Sequence, residues 1–175
     1  MVLTAAMLAA TALGISVAQP QKAEAADTVT ITGCTGTPVV LDASEKRMLD
    51  LHNQMRASAG LRQPCVHPAL QKAAEAHSQD MIDKDYFSHT SQDGTTFAQR
   101  IKLQGYNYRA VGENVGWGSG SLGTPDSIFK SWKNSPGHKA NILSERYREI
   151  GVGAATGTYK SYSNATMWTA DFGAR

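Results

Sequence analysis

Two imidazoles and one carboxylate stand in three short islands of the chain. The islands are Phe87-Ser88-His89-Thr90, Gly112-Glu113-Asn114-Val115 and Ser135-Pro136-Gly137-His138-Lys139-Ala140-Asn141-Ile142-Leu143. Each polar group is flanked by apolar residues or glycine, the setting of a cleft and not of a solvated charge run. Neutral imidazole and carboxylate are ligand types that suit zinc, and three protein ligands leave a position open for water or substrate. The same set can relay protons or hold a fold together through buried hydrogen bonds. A serine hydrolase needs a nucleophile paired to a base. Ser88, Ser91 and Ser135 lie near the histidines in sequence, but none sits in a nucleophile elbow.

The islands and their order resemble the CAP superfamily: cysteine-rich secretory proteins, antigen 5 and pathogenesis-related proteins, also called SCP-domain proteins. The resemblance is strongest to the short secreted bacterial type. Leu51-His52-Asn53-Gln54-Met55-Arg56 and Ala76-His77-Ser78-Gln79-Asp80-Met81 look like the family's first two helices. Ile150-Gly151-Val152-Gly153 and Trp168-Thr169-Ala170-Asp171-Phe172-Gly173 look like its closing strands, so coverage runs from about Asp42 to Gly173. The resemblance implies an α+β fold, a three-layer α-β-α sandwich around a small antiparallel sheet. It also implies a cleft tetrad of two histidines and two glutamates. His89, Glu113 and His138 match three of those positions. Ser135 stands where animal and plant members carry the fourth, a glutamate, which weakens any chemistry that needs two carboxylates. Family members are linked to sterol or fatty-acid binding, to cell-surface recognition and to proteolysis.

The elements that must position these groups follow from pattern. Asp42-Ala43-Ser44-Glu45 reads as a capping box opening a helix with Met48, Leu51 or His52, and Met55 on one face, stopped by Gly60. Pro68 opens a second helix to about Lys84, with Leu70, Ala74, His77 and Met81 inward. A third runs from Thr95 or Thr96 to Gln104, ahead of Gly105. Val111 to Trp117 reads as a strand, Gly116 to Gly123 as a flexible Gly/Ser loop, and Thr124-Pro125 as the start of a fourth helix through Trp132. Ser135-Pro136 reads as a turn. Strands near Glu149–Thr156 and Met167–Phe172 close the chain. His52 and His77 fall on apolar helix faces and read as satisfied core histidines. His67 reads as a surface or packing residue of a loop, and Asn53 and Arg56 as fold-stabilising polar contacts. Of the aromatic residues, Trp117 and Phe87 flank the islands and are candidates to line a cleft.

Composition narrows the classes. The chain has 175 residues, 41% apolar and 18% charged, as in one soluble domain. Met1 to Ala18 is small and apolar, and Ala23-Glu24-Ala25 offers a small-x-small site, the pattern of a secretory signal peptide cleaved near Ala25 or Ala26. Cleavage removes Lys22 and Glu24, one charge of each sign, and leaves the net charge at +2. No basic cluster marks a nucleic-acid surface. The domain plan is therefore 1–26 signal peptide, 27–41 N-terminal extension of alternating β-branched residues, and 42–175 CAP domain. Cys34 and Cys65 are the only cysteines, and in an exported chain they are expected to form one disulfide.

Gly118-Ser119-Gly120-Ser121-Leu122-Gly123 matches a dinucleotide fingerprint literally but lacks the βαβ context. Asp171-Phe172-Gly173 has no kinase setting, and Asn164-Ala165-Thr166 is a glycosylation sequon that matters only in a eukaryotic secretory pathway. The expectation is a secreted, monomeric CAP-domain protein without a transmembrane span. It would act as a non-enzymatic binding module for an extracellular ligand, a lipid or a cell-surface component. His89, Glu113 and His138 would form its cleft and hold zinc or another divalent cation. The alternatives are a metal-dependent hydrolase and a secreted lipid or sterol binder.

Overall fold

Alternation and capping set the order of elements in the computed structural model, which describes residues 27–175. The predicted signal peptide lies outside the described residues. A hairpin, β1 (Thr28–Thr32) and β2 (Pro38–Asp42), leads into α1 (Ala43–Ser58). Asp42 caps α1 through the amide of Glu45, and Glu45 reaches back to the amide of Asp42. β3 (Cys65–Val66), α2 (Pro68–Asp83), α3 (Phe97–Leu103) and β4 (Ala110–Ser119) follow. After a 3-10 turn at Gly120–Gly123 come α4 (Pro125–Asn134), α5 (Pro136–Ile142), β5 (Glu149–Tyr159) and β6 (Tyr162–Ala174).

Several local expectations change. Half of the expected Gly/Ser loop is strand, because β4 continues to Ser119 in register with Ala165 of β6. Its remainder is the 3-10 turn. Ser135-Pro136 is not a turn but the start of α5, where proline at the first helical position needs no amide hydrogen. His67 takes the packing role of its two expected ones: it is 8% exposed, accepts the amide of Ala69 as the N-cap of α2, and packs edge-on against Tyr106.

The sheet order is β3-β5-β6-β4. β4, β6 and β5 are antiparallel neighbours, and the two-residue β3 adds in parallel to β5. Period-2 alternation sends β6 side chains to opposite layers. Trp168, Ala170 and Phe172 join Ile150 and Val152 of β5 against Met48 and Leu49 of α1, Phe129 and Trp132 of α4, and Ile142 of α5. Met167 faces the other way with Val115 of β4, against Met81 of α2. The result is the α-β-α sandwich. On the α2 side, β5 offers no side chain at Gly151 and Gly153. A Cβ at Gly151 would stand 2.2 Å from the carbonyl carbon of Leu70, and one at Gly153 would stand 2.3 Å from the amide nitrogen of Glu75. The helix backbone therefore rests directly on the strand. Cys34, in the turn of the β1–β2 hairpin, is disulfide-bonded to Cys65 of β3, which fixes the N-terminal extension to the sheet.

Candidate functional site

The site is organised around β4, which among the described residues pairs only with β6 and is the edge of the sheet. Its odd-numbered residues face α2 and α3, and its even-numbered residues face α4 and α5. Groups from both faces can therefore meet only around the edge.

On the α2 side, Glu113 is buried and both its oxygens are engaged. Oε1 contacts Nδ1 of His89 at 2.8 Å, and Oε2 accepts from Nη2 of Arg100 at 2.5 Å. Arg100 Nη1 also donates to the carbonyls of His89 at 2.9 Å and Thr95 at 3.2 Å, tying the loop that carries His89 to α3. His77 steadies the same loop from below, its Nε2 donating to the carbonyl of Ser88 at 2.9 Å. The expected core role of His77 therefore extends to positioning His89. Asp171 stands opposite Glu113 across the β4–β6 ladder and is 1% exposed. Burial, and then the charge of Glu113, push its carboxyl well above the usual range. His89 keeps half of its side-chain surface in solvent, with Nε2 directed away from the carboxylate.

On the other side, Asn114 and Asn141 fasten α5 to the strand. Asn114 Nδ2 donates to the carbonyl of His138 at 3.1 Å, and Asn141 Nδ2 donates to Asn114 Oδ1 at 2.8 Å and to the Glu113 carbonyl at 3.1 Å. His138 thereby lies at the edge, with its ring 6.2 Å from that of Trp132. Its Nδ1 is buried and without a hydrogen-bond partner. Burial, and then the charge of nearby His89, hold its pKa below the ordinary histidine value. That shift favours the neutral imidazole at neutral pH.

His89 and His138 thus approach the edge from opposite layers, and Glu113 joins them through His89. They are not a closed three-ligand cage. Among the described residues, the one set of three histidine, cysteine or acidic ligand atoms within 4.8 Å of one another is Cys34, Cys65 and Glu149. Its two sulfurs are spent in the disulfide.

A cavity of about 610 Å³ opens beside His138. Phe87 and Trp117 line it from one side of the edge, and Ile128, Ser131 and Trp132 of α4 from the other. The expectation that Phe87 and Trp117 line a cleft holds. Among the described residues, no lysine, arginine, aspartate or glutamate lines the cavity.

Sequence reasoning missed Arg100 and Asp171 as partners of Glu113. Arg100 carries no motif and falls beside the apolar stripe of α3. Asp171 could have been found by pairing it with Glu113 in an antiparallel ladder, a register that only the sheet order supplies. Asn114 and Asn141 stood inside the islands without a role.

Residues 49–172 match the model of the cysteine-rich secretory protein family, CAP. The chain is 36% identical over 138 residues to the Bacillus subtilis protein YkwD, covering 79% of this chain and 50% of that protein. It is 32% identical over 110 residues to the B. subtilis membrane protein YlbC, covering 63% of this chain and 31% of that one. The chain therefore spans half or less of the length of these curated relatives. Among solved structures, it resembles an extracellular SCP-domain protein from Bacillus anthracis, with a TM-score of 0.63, 26% identity, and coverage of 75% of this chain and 40% of that one. An outer surface protein from Borrelia burgdorferi shares the fold, with a TM-score of 0.65, 22% identity, and coverage of 77% of this chain and 96% of that one. Matched motifs, fold and family model agree: the chain belongs to the CAP, or cysteine-rich secretory protein, family.

Proposed function

We propose that this protein is an exported CAP module that binds an uncharged extracellular ligand in the cleft along the edge of β4, without turning it over. The observation that carries the reading is the union of two features. The cavity is large enough for a small ligand and has no formally charged lining. The carboxylate behind His89, Glu113, is hydrogen-bonded at both oxygens, to His89 and to Arg100. A general base must lie within reach of a substrate or water proton, and the Glu113 carboxylate, with its side chain fully enclosed behind His89 and Arg100, does not open to the cleft. Export is supported by the disulfide and by the extracellular and outer-surface nature of the structural relatives. Among the described residues no helix is long and apolar enough to cross a membrane.

A divalent cation such as zinc fits part of this residue set. His89 presents Nε2 outward while its Nδ1 rests on a carboxylate, the arrangement that orients a metal-binding imidazole. His138 supplies a second neutral imidazole, with an unpartnered buried nitrogen. The two histidines would hold the ion and Glu113 would aim His89 instead of ligating. A bound cation would supply a Lewis acid at the end of the cleft. His89→Ala and His138→Ala should each abolish most of the zinc heat in a titration, and Glu113→Gln should only weaken it.

The binding reading is tested by NMR of the ¹⁵N-labelled, disulfide-bonded protein against neutral probes of three classes: acetylated peptides, a soluble oligosaccharide and a micellar sterol. Movement of the Trp117, Ile128 and His138 resonances with no turnover is the expected result. Peptide or ester hydrolysis that disappears in Glu113→Gln would replace binding by catalysis.

A further inference from the structure

The edge of β4 is sealed along part of its length and open at one end. The carbonyl of Val111 accepts Tyr147 Oη at 3.1 Å, that of Glu113 accepts Asn141 Nδ2 at 3.1 Å, and that of Val115 accepts Trp132 Nε1 at 3.0 Å. These three carbonyls point away from β6. Because a strand's hydrogen-bonding groups alternate sides, the N–H and C=O of Trp117 point the same way. The series of side-chain caps stops there, since no side chain among the described residues bonds the Trp117 backbone. The cavity opens at the same residue, lined by Val115 through Ser119 and by residues from both faces of the sheet. An open sheet edge is a template for another strand, and at Trp117 an uncapped main-chain donor and acceptor coincide with room for one.

Glycines make the sealed part possible. A Cβ at Gly112 would stand 2.5 Å from Tyr147 Oη, and one at Gly116 would stand 3.0 Å from Trp132 Nε1. Past Trp117 the 3-10 turn closes over the strand, so the opening has a defined end: a Cβ at Gly118 would lie 2.2 Å from the Leu122 carbonyl oxygen. Across the opening, Trp117 packs on Tyr159 and Tyr162 to form an aromatic wall, and the face of α4 opposite it carries Ser127 and Ser131.

We propose that this opening receives a short, extended and uncharged peptide segment of a partner protein, added to the sheet as a strand opposite Trp117. The proposal rests on the binding reading above and names its ligand class. A partner residue facing Trp117 would exchange two main-chain hydrogen bonds with it. Its neighbours would place side chains alternately against the aromatic wall and against the α4 serines, the pattern by which added strands gain specificity. The absence of charge in the lining selects uncharged side chains, because a buried ion would find no partner. A sterol could occupy the same volume but brings one hydroxyl to the donor and acceptor pair, and a glycan's hydroxyls lack the fixed alternation with which a strand meets them.

The experiment uses the ¹⁵N-labelled disulfide-bonded protein and a panel of acetylated, amidated hexapeptides that alternate threonine with valine, isoleucine or phenylalanine. At least one peptide should shift the Val115 and Trp117 amides and slow hydrogen exchange at Trp117. N-methylating its alternate residues in one phase should weaken binding by about tenfold or more, and in the other phase should not, because only one set of amides faces β4. Ser131→Trp, on the exposed wall of α4, should block binding while leaving the remaining spectrum in place. Equal sensitivity to both methylation phases, or to neither, would overturn strand addition. Cleft shifts with cellotetraose or micellar cholesterol alone would overturn it too, while sparing the binding reading. No cleft shift with any probe would remove both.

Discussion

Replacing Arg100 by methionine tests the electrostatic core of the site. Arg100 is 12% exposed and its partner Glu113 is fully enclosed at the side chain. Removing the guanidinium strips Glu113 of its cationic partner while the second carboxyl, Asp171, remains beside it. Leaving one member of a buried pair uncompensated costs about 3–5 kcal/mol. Arg100 also holds the carbonyls of His89 and Thr95, so its loss frees the loop that carries His89. Methionine keeps the stem's packing, so the cost reports charge and hydrogen bonding. Urea unfolding at pH 7 should show Arg100→Met destabilised by that amount, with faster amide exchange across residues 87–96. The double variant with Glu113→Gln should recover about 2 kcal/mol relative to the sum of the singles, since the amide no longer needs a cation. A single-variant cost below about 1 kcal/mol, or strict additivity, would show that Glu113 is not balanced by Arg100.

Three further outcomes follow from features away from the cleft. Burial raises Glu45 from 4.5 to about 7, so the folded state binds the extra proton between those values and stability falls as pH rises through that window. The ceiling is about 3 kcal/mol; Glu45→Gln should be more stable than the parent in urea at pH 8 by about 1–3 kcal/mol and nearly equal to it at pH 4.5, and a constant difference would count against the assignment. The Cys34–Cys65 bond closes 31 residues, so the Cys34→Ala/Cys65→Ala protein should lose about 3–4 kcal/mol by the same unfolding measurement, and an unchanged midpoint would contradict the loop-closure account. Gly153→Ala would drive a methyl into the α2 backbone and should lower stability by about 3 kcal/mol or more; a melting temperature within a degree of the parent would show that α2 can lift.

The order of helices and strands was legible because caps and apolar spacing are local. Asp42 and Glu45, Pro68, Thr96 and Thr124-Pro125 each mark a helix start without reference to the rest of the chain. The three islands were legible as one site because polar groups among apolar neighbours need each other. Which partners complete them was not. Arg100 reaches Glu113 from a helix of its own, and Asp171 meets it only through the register of β6 on β4. α5 was hidden because Pro-Gly reads as a turn, whereas docking through Asn141 holds the segment as a helix. β3 is two residues long and exists only because β5 lies beside it.

Arg56 makes one joint of the fold indifferent to acid. This buried guanidinium donates to four main-chain carbonyls, those of Arg62, Ile142, Ser144 and Tyr147, and no carboxylate among the described residues bonds it. Peptide oxygens do not take up protons in the range where carboxylates do, so the joint between α1 and the segment after α5 survives acidification. The C-terminal strand is fastened differently: despite its burial, the Glu149 carboxyl is held below the usual range by Arg175 and Tyr106, and its hold on Arg175 lets go once it is protonated. Acid would thus free the C-terminal end of β6 while the joint made by Arg56 stayed closed.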